Sequence, residues 1–454
     1  MKMRIIIILS AVVLFSGCRI YEPYSRPDGI RTDSLYGVQY IVTDTVNIAS
    51  LGWKELFTDP YLQKLIEHGL VNNTDLQSAE WRVKEAKATL KTARLAYLPA
   101  FNFAPNGVAS SFDNAKTSWT YTVPITASWE VDIFARVTNA KRQAKALYLQ
   151  SQDYRQAVQT GLIATIANQY YTLLMLDEQY RISEKTAGKY KECVRVMQAM
   201  KRAGMTNEAG VAQIEAAYFA VESALQDLKR SINEVENSLS ILLGDIPHSI
   251  DRSLLGNQNF PTELSVGVPI QLLTNRPDVR AAEQSLVQSY YATSIARASL
   301  YPSITLSGTA GWTNSLGSTI INPGKLLLSA AGSFFQPIFN AGANIARIKI
   351  AQAQQEEAKL AFQQALLNAG SEVNDALTQY QTAQNKSEWR TKQIASLSKA
   401  VEKTQLLMQN TSTTYLEVLT AQQSLLQAQM SQVTDRFEAI QGVVNLYHAL
   451  GGGQ

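Results

Sequence analysis

The chain has 454 residues, of which 46% are hydrophobic, and its formal net charge is +3 at pH 7. Two of its positive charges lie in a leader segment, so the near-neutral remainder argues against a nucleic-acid partner. After residue 17 no apolar run is long enough to cross a bilayer as a helix, so any membrane crossing must be made by β-strands.

The first residues read as an export signal. Lys2 and Arg4 precede the apolar run 5–15, and small residues lead to Cys18. This pattern predicts a signal peptide over 1–17. Cys18 follows Ser-Gly as in a bacterial lipobox, which predicts that its thiol is lipidated and that residues 18–50 form an extended arm. An ordinary signal peptide with a chance cysteine is the alternative, although it leaves an exposed thiol in an oxidising compartment. Cys193 is then the only remaining thiol, so no intrachain disulfide is possible.

An internal duplication with a period of roughly 205 residues organises the rest of the chain. It divides the chain into a first repeat over 51–250 and a second over 251–454. Residues that recur at one constant offset are Asp75, Ala79, Glu80, Ala93, Arg94 and Pro99, matched by Asp278, Ala282, Glu283, Ala296, Arg297 and Pro302. Ile133-Phe134 recurs as Ile338-Phe339. Each repeat therefore reads helix, strand, strand, long helix, long helix.

Two proline-free stretches in each repeat predict long helical hairpins. In the first repeat the hairpin covers 135–244 with its tip near 201–207; in the second, after a helix over 277–300, it covers 343–449 with its tip near 409–414. At about 1.5 Å per residue each longer helix reaches about 100 Å. Apolar residues at heptad-like spacing predict antiparallel coiled coils. Their other faces carry Gln, Ala, Ser and Thr, which suits helices packed side by side around a wet lumen.

Between the helical pairs lie segments with a period of two residues. The first is a β-hairpin over 98–132, with a first strand over about 98–112 and a second in which apolar residues alternate with Thr and Ser from Tyr121 onward. The second covers 302–338. Their length and pattern suit transmembrane strands with a polar interior, and Trp119, Trp129 and Trp312 suit interfacial girdles. A half-buried sheet in a soluble protein shows the same alternation and is the alternative.

Four strands cannot close a barrel around a pore, and an open sheet edge cannot face lipid because its backbone groups would be unpaired. Three chains are the smallest closed solution that leaves a lumen. The predicted fold class is therefore mainly α with transmembrane β, internally duplicated. Four strands per chain contribute to a trimeric β-barrel of about 12 strands, which a long antiparallel coiled-coil α-helical barrel continues.

Seven ordered segments of the chain resemble the TolC-like outer-membrane factors, and within them the lipoprotein branch that serves tripartite RND-type pumps. The segments are Leu51-Gly52-Trp53, the run from Ser128 to Phe134, the run from Asn275 to Glu283, Ala296-Arg297-Ala298 through Pro302, Pro337-Ile338-Phe339, the run from Tyr415 to Leu419, and Leu450-Gly451-Gly452-Gly453. The resemblance covers the chain from about residue 50 to its end. It implies a homotrimer in the outer membrane of a Gram-negative bacterium, opened at its periplasmic tips by an adaptor and an inner-membrane RND-type pump.

The resemblance also implies which residues form the tips. The first would be Arg202, Ala203, Gly204, Met205 and Thr206; the second would be Asn410, Thr411, Ser412 and Thr413, where Thr411 replaces the family's usual glycine. Pump-linked members often carry an acidic constriction just inside the second tip, but here Thr420 holds that position and Gln213 its repeat equivalent. Either Glu417 forms a charged ring one turn nearer the tip, or uncharged contacts hold the gate. A solvated Glu417 on the outer face is equally consistent with the sequence.

No catalytic constellation appears, so the sequence predicts neither an enzyme nor a cofactor. His68, His248 and His448 stand singly and none has a second ligand at metal spacing, which predicts no metal site. The predicted function is an exit duct for small molecules such as drugs or toxic compounds. Two alternatives remain: the outer-membrane duct of a type I protein secretion system, and a periplasmic coiled-coil lipoprotein that spaces the envelope without conducting. The sequence does not identify the transported substrate.

Overall fold

The computed structural model describes residues 22–28, 35, 48, 51–113, 115–260, 272–316, 319–409 and 415–453. These residues fall into two compact units, each drawing on segments of both repeats. The first, which we call the sheet unit, comprises the described parts of Met1–Ile30, Trp81–Asp153 and Arg280–Gln364. The second, the helical unit, comprises those of Arg31–Glu80, Tyr154–Val279 and Ala365–Gln454.

Helices of matching length occur in the two halves of the chain. The first half contains α1 (Trp53–Leu56), α2 (Pro60–Asn72), α3 (Thr74–Leu95), α4 (Arg136–Arg202) and α5 (Glu208–Leu243). The second half contains α6 (Leu272–Asn275), α7 (Pro277–Ala298), α8 (Ala343–Gln409) and α9 (Tyr415–Ala449). Helices α3 and α7 both have 22 residues, and α4 and α8 both have 67. Equal lengths in both halves are what an internal duplication requires.

Local sequence accounts for where several helices begin and end. Asp59 caps α2 by accepting a hydrogen bond from the Tyr61 N–H at 2.9 Å, and Pro60 occupies the first helical position, where no donor is lost. Asn207 caps α5 by accepting from the Gly210 N–H at 3.0 Å. Helix α5 ends at Gly244, whose φ of 77° is the left-handed conformation that glycine adopts without steric cost.

The strands form one antiparallel sheet in the sheet unit. They are β1 (Ala100–Phe103), β2 (Asn106–Ser110), β3 (Ser118–Val131), β4 (Ser303–Leu316) and β5 (Thr319–Phe335). The order is β1-β3-β4-β5, and β2 also pairs with β3. The stretch expected as one strand over about 98–112 is thus divided in two, and the break includes Pro105, which has no N–H to donate to a ladder. Since β1 and β2 share one register along β3, they occupy one lane of a four-lane sheet.

Each unit has its own apolar core. In the helical unit the fully buried side chains include Phe57, Leu62, Ile66, Ile163, Ile166, Tyr170 and Leu173. A Cβ on Gly69 would lie 2.6 Å from Cδ1 of Ile166, so this glycine lets α2 approach α4 closely. In the sheet unit Ala135 and Ala298 are buried against Tyr301. Among the described residues, none of the helices combines the length and apolar character that crossing a bilayer demands.

Residues 22–28 lie against α7 within the sheet unit. The Arg26 guanidinium donates to both carboxylate oxygens of Glu283, at 2.8 and 2.7 Å. The backbone N–H of Tyr24 donates to the Tyr291 hydroxyl at 3.3 Å, and the ring of Tyr24 meets that of Tyr290 edge-on. A two-bonded Arg–carboxylate pair fixes orientation as well as position, so this short segment is docked in one geometry.

Candidate functional site

The register of the sheet gives its two faces opposite chemical character. Rows that cross all four lanes on one face are Phe103, Ile125, Ala310 and Leu328, and Phe101, Ala127, Gly308 and Ala330. The row between them on the opposite face is Asn102, Thr126, Thr309 and Ser329. Because successive side chains of a strand point to opposite faces, one face is apolar and the other is rich in Ser and Thr.

The apolar face is exposed. Trp119, Phe101, Leu328 and Phe334 keep between 68% and 71% of their surface accessible. On the polar face Thr120, Thr122 and Thr126 are half-buried, while Ser128, Ser307 and Ser329 are exposed. A single chain therefore exposes both faces of its sheet, whereas a sheet in water normally covers its apolar face. The apolar face needs an apolar medium or a covering partner in the assembled protein.

Both outer lanes of the sheet leave a backbone edge without a partner strand among the described residues. The first outer lane is β1 and β2, which pair only with β3, and the second is β5, which pairs only with β4. An open edge of unpaired N–H and C=O groups next to an exposed apolar face cannot be stable in lipid as a single chain.

Two of the tryptophans predicted to form girdles lie near opposite ends of β3. Trp119 is 70% exposed and pairs with Ala109 near the β2–β3 connection. Trp129 lies near the other end, and its Nε1 donates to the backbone oxygen of Tyr97 at 3.0 Å. A rise of about 3.3 Å per residue puts them roughly 33 Å apart along the strand, comparable to the apolar thickness of a membrane. Trp312, the third, is 55% exposed in the middle of the sheet.

The helical unit presents an exposed turn between α4 and α5. Gly204 adopts a φ of 73°, and the N–H of Met205 closes the end of α4 by donating to the Met200 oxygen at 2.9 Å. Lys201 and Glu208 form an ion pair across the turn. Arg202, Ala203, Gly204 and Met205 are exposed, and Thr206 is half-buried. The structure thus brings the first set of candidate tip residues together in one solvent-facing turn.

A three-helix core supports this turn. It contains Tyr190 and Met197 from α4, Val211, Ile214 and Ala217 from α5, and Leu419 from α9. Cys193 and Tyr415 pack at its edge, and burial raises the pKa of the Cys193 thiol. The hydroxyl of Tyr190 is buried without a hydrogen-bond partner, and burial raises its pKa to about 12.

The structure describes only some of the remaining candidate gate and tip residues. Gln213, Glu417 and Thr420 are all exposed, the first on α5 and the others in the first turns of α9. The Thr420 hydroxyl donates to the Leu416 oxygen at 2.9 Å, which ties it to its own helix. Asn410, Thr411, Ser412 and Thr413 lie outside the described residues, as does Cys18.

The structure gives the Asn-Arg-Pro-Asp motif a role that its sequence did not reveal. Arg276 is only 3% exposed, and its guanidinium donates to Asp278, Glu372 and the backbone oxygen of Ala449. Burial opposes ionisation of Asp278, but the hydrogen bonds and charge of Arg276 outweigh it and lower the pKa of that carboxyl. Burial and the nearby Arg276 charge lower the pKa of His448. This arginine therefore joins the start of α7 to α8 and to the end of α9.

No group of three or more His, Cys, Asp or Glu side chains within the described ranges is arranged to hold a metal ion. The described features are an exposed apolar sheet face and an exposed helical turn on a packed core. Such features are suited to association with a membrane and with other proteins.

Comparison with known proteins identifies the class. Residues 65–245 and 268–452 match the family described as "Outer membrane efflux protein". The cation efflux system protein CusC of Escherichia coli is 27% identical over 96% of this chain and 97% of its own length. The probable outer membrane lipoprotein SilC of Salmonella typhimurium is 26% identical over 98% of both chains.

Solved structures agree with these relatives. The crystal structure of CusC has a TM-score of 0.85 to this chain at 26% identity, covering 94% of this chain and 98% of its own. The open state of the MtrE outer membrane channel of Neisseria gonorrhoeae has a TM-score of 0.82 at 27% identity, covering 91% and 94%. Fold and sheet therefore define an outer-membrane channel with the TolC-like fold.

The chain belongs to the outer membrane efflux protein family. The resemblance and the fold class inferred from the sequence are confirmed, and the function is transport across the outer membrane rather than catalysis.

Proposed function

We propose that this chain is one protomer of a homotrimeric, lipid-anchored exit duct of a tripartite efflux system, carrying small molecules from the periplasm to the exterior. The observation that carries the proposal is the two-faced sheet, with an exposed apolar face and an opposite face lined with Ser and Thr. In a closed barrel the first face contacts lipid and the second lines a wet interior.

The four lanes and two open edges of the sheet favour an assembly of three chains. Each chain supplies four lanes and two open edges, and joining the edges of neighbouring chains removes every unpaired backbone group from lipid. Three chains give a barrel of about 12 strands, wide enough for a lumen.

Conductance in planar bilayers tests the duct directly. We expect the purified protein to run as an SDS-resistant trimer and to form discrete channels. A periplasmic spacer would do neither, and either failure would count against the proposal. A type I secretion duct would conduct as well, so the second measurement is efflux. Deletion of the gene is expected to sensitise cells to small toxic compounds while leaving the exported proteins unchanged.

We further propose that Cys18 carries the lipid. Support comes from its lipobox-like context and from the similarity of the chain to a protein named as a probable outer membrane lipoprotein. Metabolic labelling with a palmitate analogue is expected to mark the wild type and the Cys193→Ser variant but not Cys18→Ser. Label that persists in Cys18→Ser would refute the assignment.

The periplasmic adaptor, itself fed by an inner-membrane RND-type pump, is proposed to bind at the two tips. The first tip is the exposed turn Arg202–Thr206, and the second would be Asn410, Thr411, Ser412 and Thr413. A photocrosslinker at Met205, which is 61% exposed, is expected to capture the adaptor in cells. The matched control is Ile241, which is 70% exposed but lies near the far end of α5. Equal capture at both positions would contradict a tip-specific contact.

The gate is proposed to involve Glu417 as a ring of three carboxylates, because neither Gln213 nor Thr420 carries charge. Single-channel recordings of Glu417→Gln are expected to show weaker cation selectivity than the wild type, while Gln213→Ala and Thr420→Ala leave it unchanged. Unchanged selectivity in Glu417→Gln would instead assign the gate to uncharged contacts.

A further inference from the structure

We propose that helix α3 carries a basic stripe that binds the phosphate headgroups of anionic phospholipids in the inner leaflet of the outer membrane. The stripe consists of four side chains, namely Lys84, Lys87, Lys91 and Arg94. This inference rests on the proposed duct and adds a lipid partner to it.

The four side chains of the basic stripe share one exposed face of α3. Their spacing of three, four and three residues places them in line along the helix. All four are exposed, and Lys87, Lys91 and Arg94 have no ion-pair partner among the described residues. Lys84 packs over the ring of Trp81, 3.7 Å from its centre. The stripe therefore presents positive charge that no carboxylate of the described chain neutralises.

Positive charge is concentrated where the helices of the sheet unit meet its strands. The adjoining stretches are 81–95, 136–150, 284–298 and 343–357, and together they contain 12 Lys and Arg against 3 Asp and Glu. Their net charge is thus +9, whereas the whole chain carries +3, so the rest of the chain carries −6. A cluster of cations directly beside a membrane span is typical of segments that bind anionic lipid.

The equivalent face of α7 shows which side of the duct the basic stripe occupies. By the constant offset of the duplication, Lys87 is equivalent to Tyr290. The Tyr290 hydroxyl donates to the backbone oxygen of Glu22 at 3.2 Å, so this face of α7 is covered by the docked segment 22–28. That segment leads to Cys18, the proposed lipid attachment site, which lies outside the duct. The basic stripe therefore faces the periplasm and the leaflet, and not the lumen.

Neighbouring helices occupy other sides of α7 and leave this side to the docked segment. The Thr293 hydroxyl donates to a backbone oxygen of α8 at 3.1 Å, and Gln288 donates to Gln150 of α4 at 2.6 Å. The residues equivalent to Thr293 and Gln288 on α3 are Leu90 and Glu85, and neither belongs to the stripe. In a ring of helices built from this repeat, the stripe therefore stays uncovered when neighbouring chains assemble.

The distance of each cation from the membrane falls in a defined order. The boundary lies at Tyr97, whose backbone oxygen accepts a hydrogen bond from a girdle tryptophan. At about 1.5 Å per residue, Arg94 and Lys91 lie roughly 5 and 9 Å from this level. On the same scale Lys87 and Lys84 lie roughly 15 and 20 Å away. Headgroups extend about 5–7 Å beyond the apolar core, and their potential decays over about 8 Å, so the contribution decreases from Arg94 to Lys84.

An acidic protein segment lying along the whole of α3, as residues 22–28 lie along α7, is the alternative occupant. The end of the stripe nearest the strands favours lipid instead. Leu95 and Leu98 follow Arg94 towards β1 and are 52% and 61% exposed. Cations followed by exposed apolar side chains match the order of phosphates and acyl chains in a leaflet.

Native mass spectrometry of the full-length trimer released from nanodiscs tests the lipid site. The nanodiscs contain phosphatidylethanolamine with phosphatidylglycerol as the minor component, and the ratio of the two lipids retained on the trimer is measured. Two double variants remove equal charge from the same face of α3. The near variant combines Lys91→Gln with Arg94→Gln, and the far variant combines Lys84→Gln with Lys87→Gln.

The wild type is expected to retain phosphatidylglycerol at least fivefold above its share of the bilayer, because one cation at an anionic surface changes binding by about fivefold. The near variant is expected to lose this enrichment, and the far variant to keep it within about twofold. Salt at about 1 M, where the Debye length is about 3 Å, is expected to remove the enrichment of the wild type.

Three results would overturn the lipid site. Absence of enrichment in the wild type would leave an acidic protein segment as the occupant of the stripe. Enrichment that survives in the near variant would place the retained lipid elsewhere on the trimer. Equal losses in the near and far variants would show that binding does not follow distance from the membrane.

Conductance separates this inference from the proposed duct. Both variants are expected to run as SDS-resistant trimers and to conduct like the wild type, because the substituted side chains are exposed. A wild-type protein that conducts without retaining phosphatidylglycerol refutes the lipid site alone. A wild-type protein that neither trimerises nor conducts refutes the duct.

Discussion

Substituting Tyr170 by phenylalanine removes one hydroxyl from a buried network in the helical unit. Tyr170 is 0% exposed, and its hydroxyl donates to Oδ2 of Asp59 at 2.8 Å while accepting from the Ser253 N–H at 3.1 Å. Gln258 also donates to the same carboxylate oxygen, at 2.8 Å. The ring itself stays, so packing is unchanged and only these hydrogen bonds are lost.

The expected destabilisation is about 2–4 kcal/mol. A hydrogen bond to a charged group contributes about 1.5–3 kcal/mol, and the Ser253 N–H left without its acceptor adds about 1 kcal/mol. The cost stays below that of an isolated buried charge because Asp59 keeps its bonds to Gln258 and to the Tyr61 N–H. Burial alone would raise the pKa of Asp59, but hydrogen bonds from Ser253, Tyr170, Gln258 and the Tyr61 N–H hold it below its usual range.

Tyr190 provides the matched control on the same helix. It is 1% exposed, and its buried hydroxyl has no hydrogen-bond partner, so Tyr190→Phe is expected to be neutral or slightly stabilising. Guanidinium unfolding followed by circular dichroism, at one fixed protomer concentration, measures both free energies. If the two variants lose the same free energy, or if Tyr170→Phe loses less than about 0.5 kcal/mol, the hydrogen-bond argument is wrong.

Three further changes have defined outcomes. Gly204→Ala is expected to cost about 1 kcal/mol through its left-handed backbone alone, because a Cβ there would meet nothing within 4 Å. The pKa of His448 is lowered from 6.5 in the folded chain, so the unfolded chain binds this proton more readily. The free energy of unfolding therefore loses no contribution from His448 above pH 6.5 and decreases as the pH falls below that value. His448→Gln is expected to make this decrease less steep. Arg390→Met is expected to cost about 2–4 kcal/mol because it removes the 2.9 Å partner of Asp435, whose side chain is 7% exposed.

Each of these outcomes has a control. Gly204→Asn, which tolerates the left-handed region, is expected to cost less than Gly204→Ala, and the reverse order would refute the backbone argument. An unaltered pH dependence in His448→Gln would assign the acid sensitivity to other groups. Arg195→Met removes an ion pair to Glu192 in which both side chains are more than half exposed, so we expect the unfolding midpoint to stay the same. A loss equal to that of Arg390→Met would show that burial is not the cause.

The sequence was sufficient for the fold class because its strongest signals are periodic and local. Absence of proline over 135–202 predicted a long helix, and α4 is a single helix of 67 residues. Alternation from Tyr121 to Val131 predicted a strand with one apolar face, and the register of β3 with β4 places Tyr121, Val123 and Ile125 together on one face, where they are exposed. The break at Ala104-Pro105 was not predicted; β1 and β2 keep one register along β3 on either side of it.

Contacts between residues distant in sequence could not be derived from periodicity. Arg276 was interpreted as part of a helix start, yet it is buried between Asp278 and Glu372. The only sign was an arginine directly before the Pro-Asp start, which is also common at ordinary helix starts. Nor does the pattern of residues show that Arg252 would pair with both Asp177 and Glu236. The tip residues were found through the resemblance, and the roles of Glu417 and of the second tip remain predictions.

The docked segment at residues 22–28 also sets the length of a tether. About eight residues separate Arg26 from Cys18, and an extended chain covers at most about 3.5 Å per residue, so a lipid on Cys18, as proposed above, would be attached within about 28 Å of the Arg26 backbone. Because Glu283 holds Arg26 through two hydrogen bonds, this length is measured from a fixed point on α7. Acylation of Cys18 would therefore limit the distance between the leaflet that receives the lipid and this docked segment of the sheet unit.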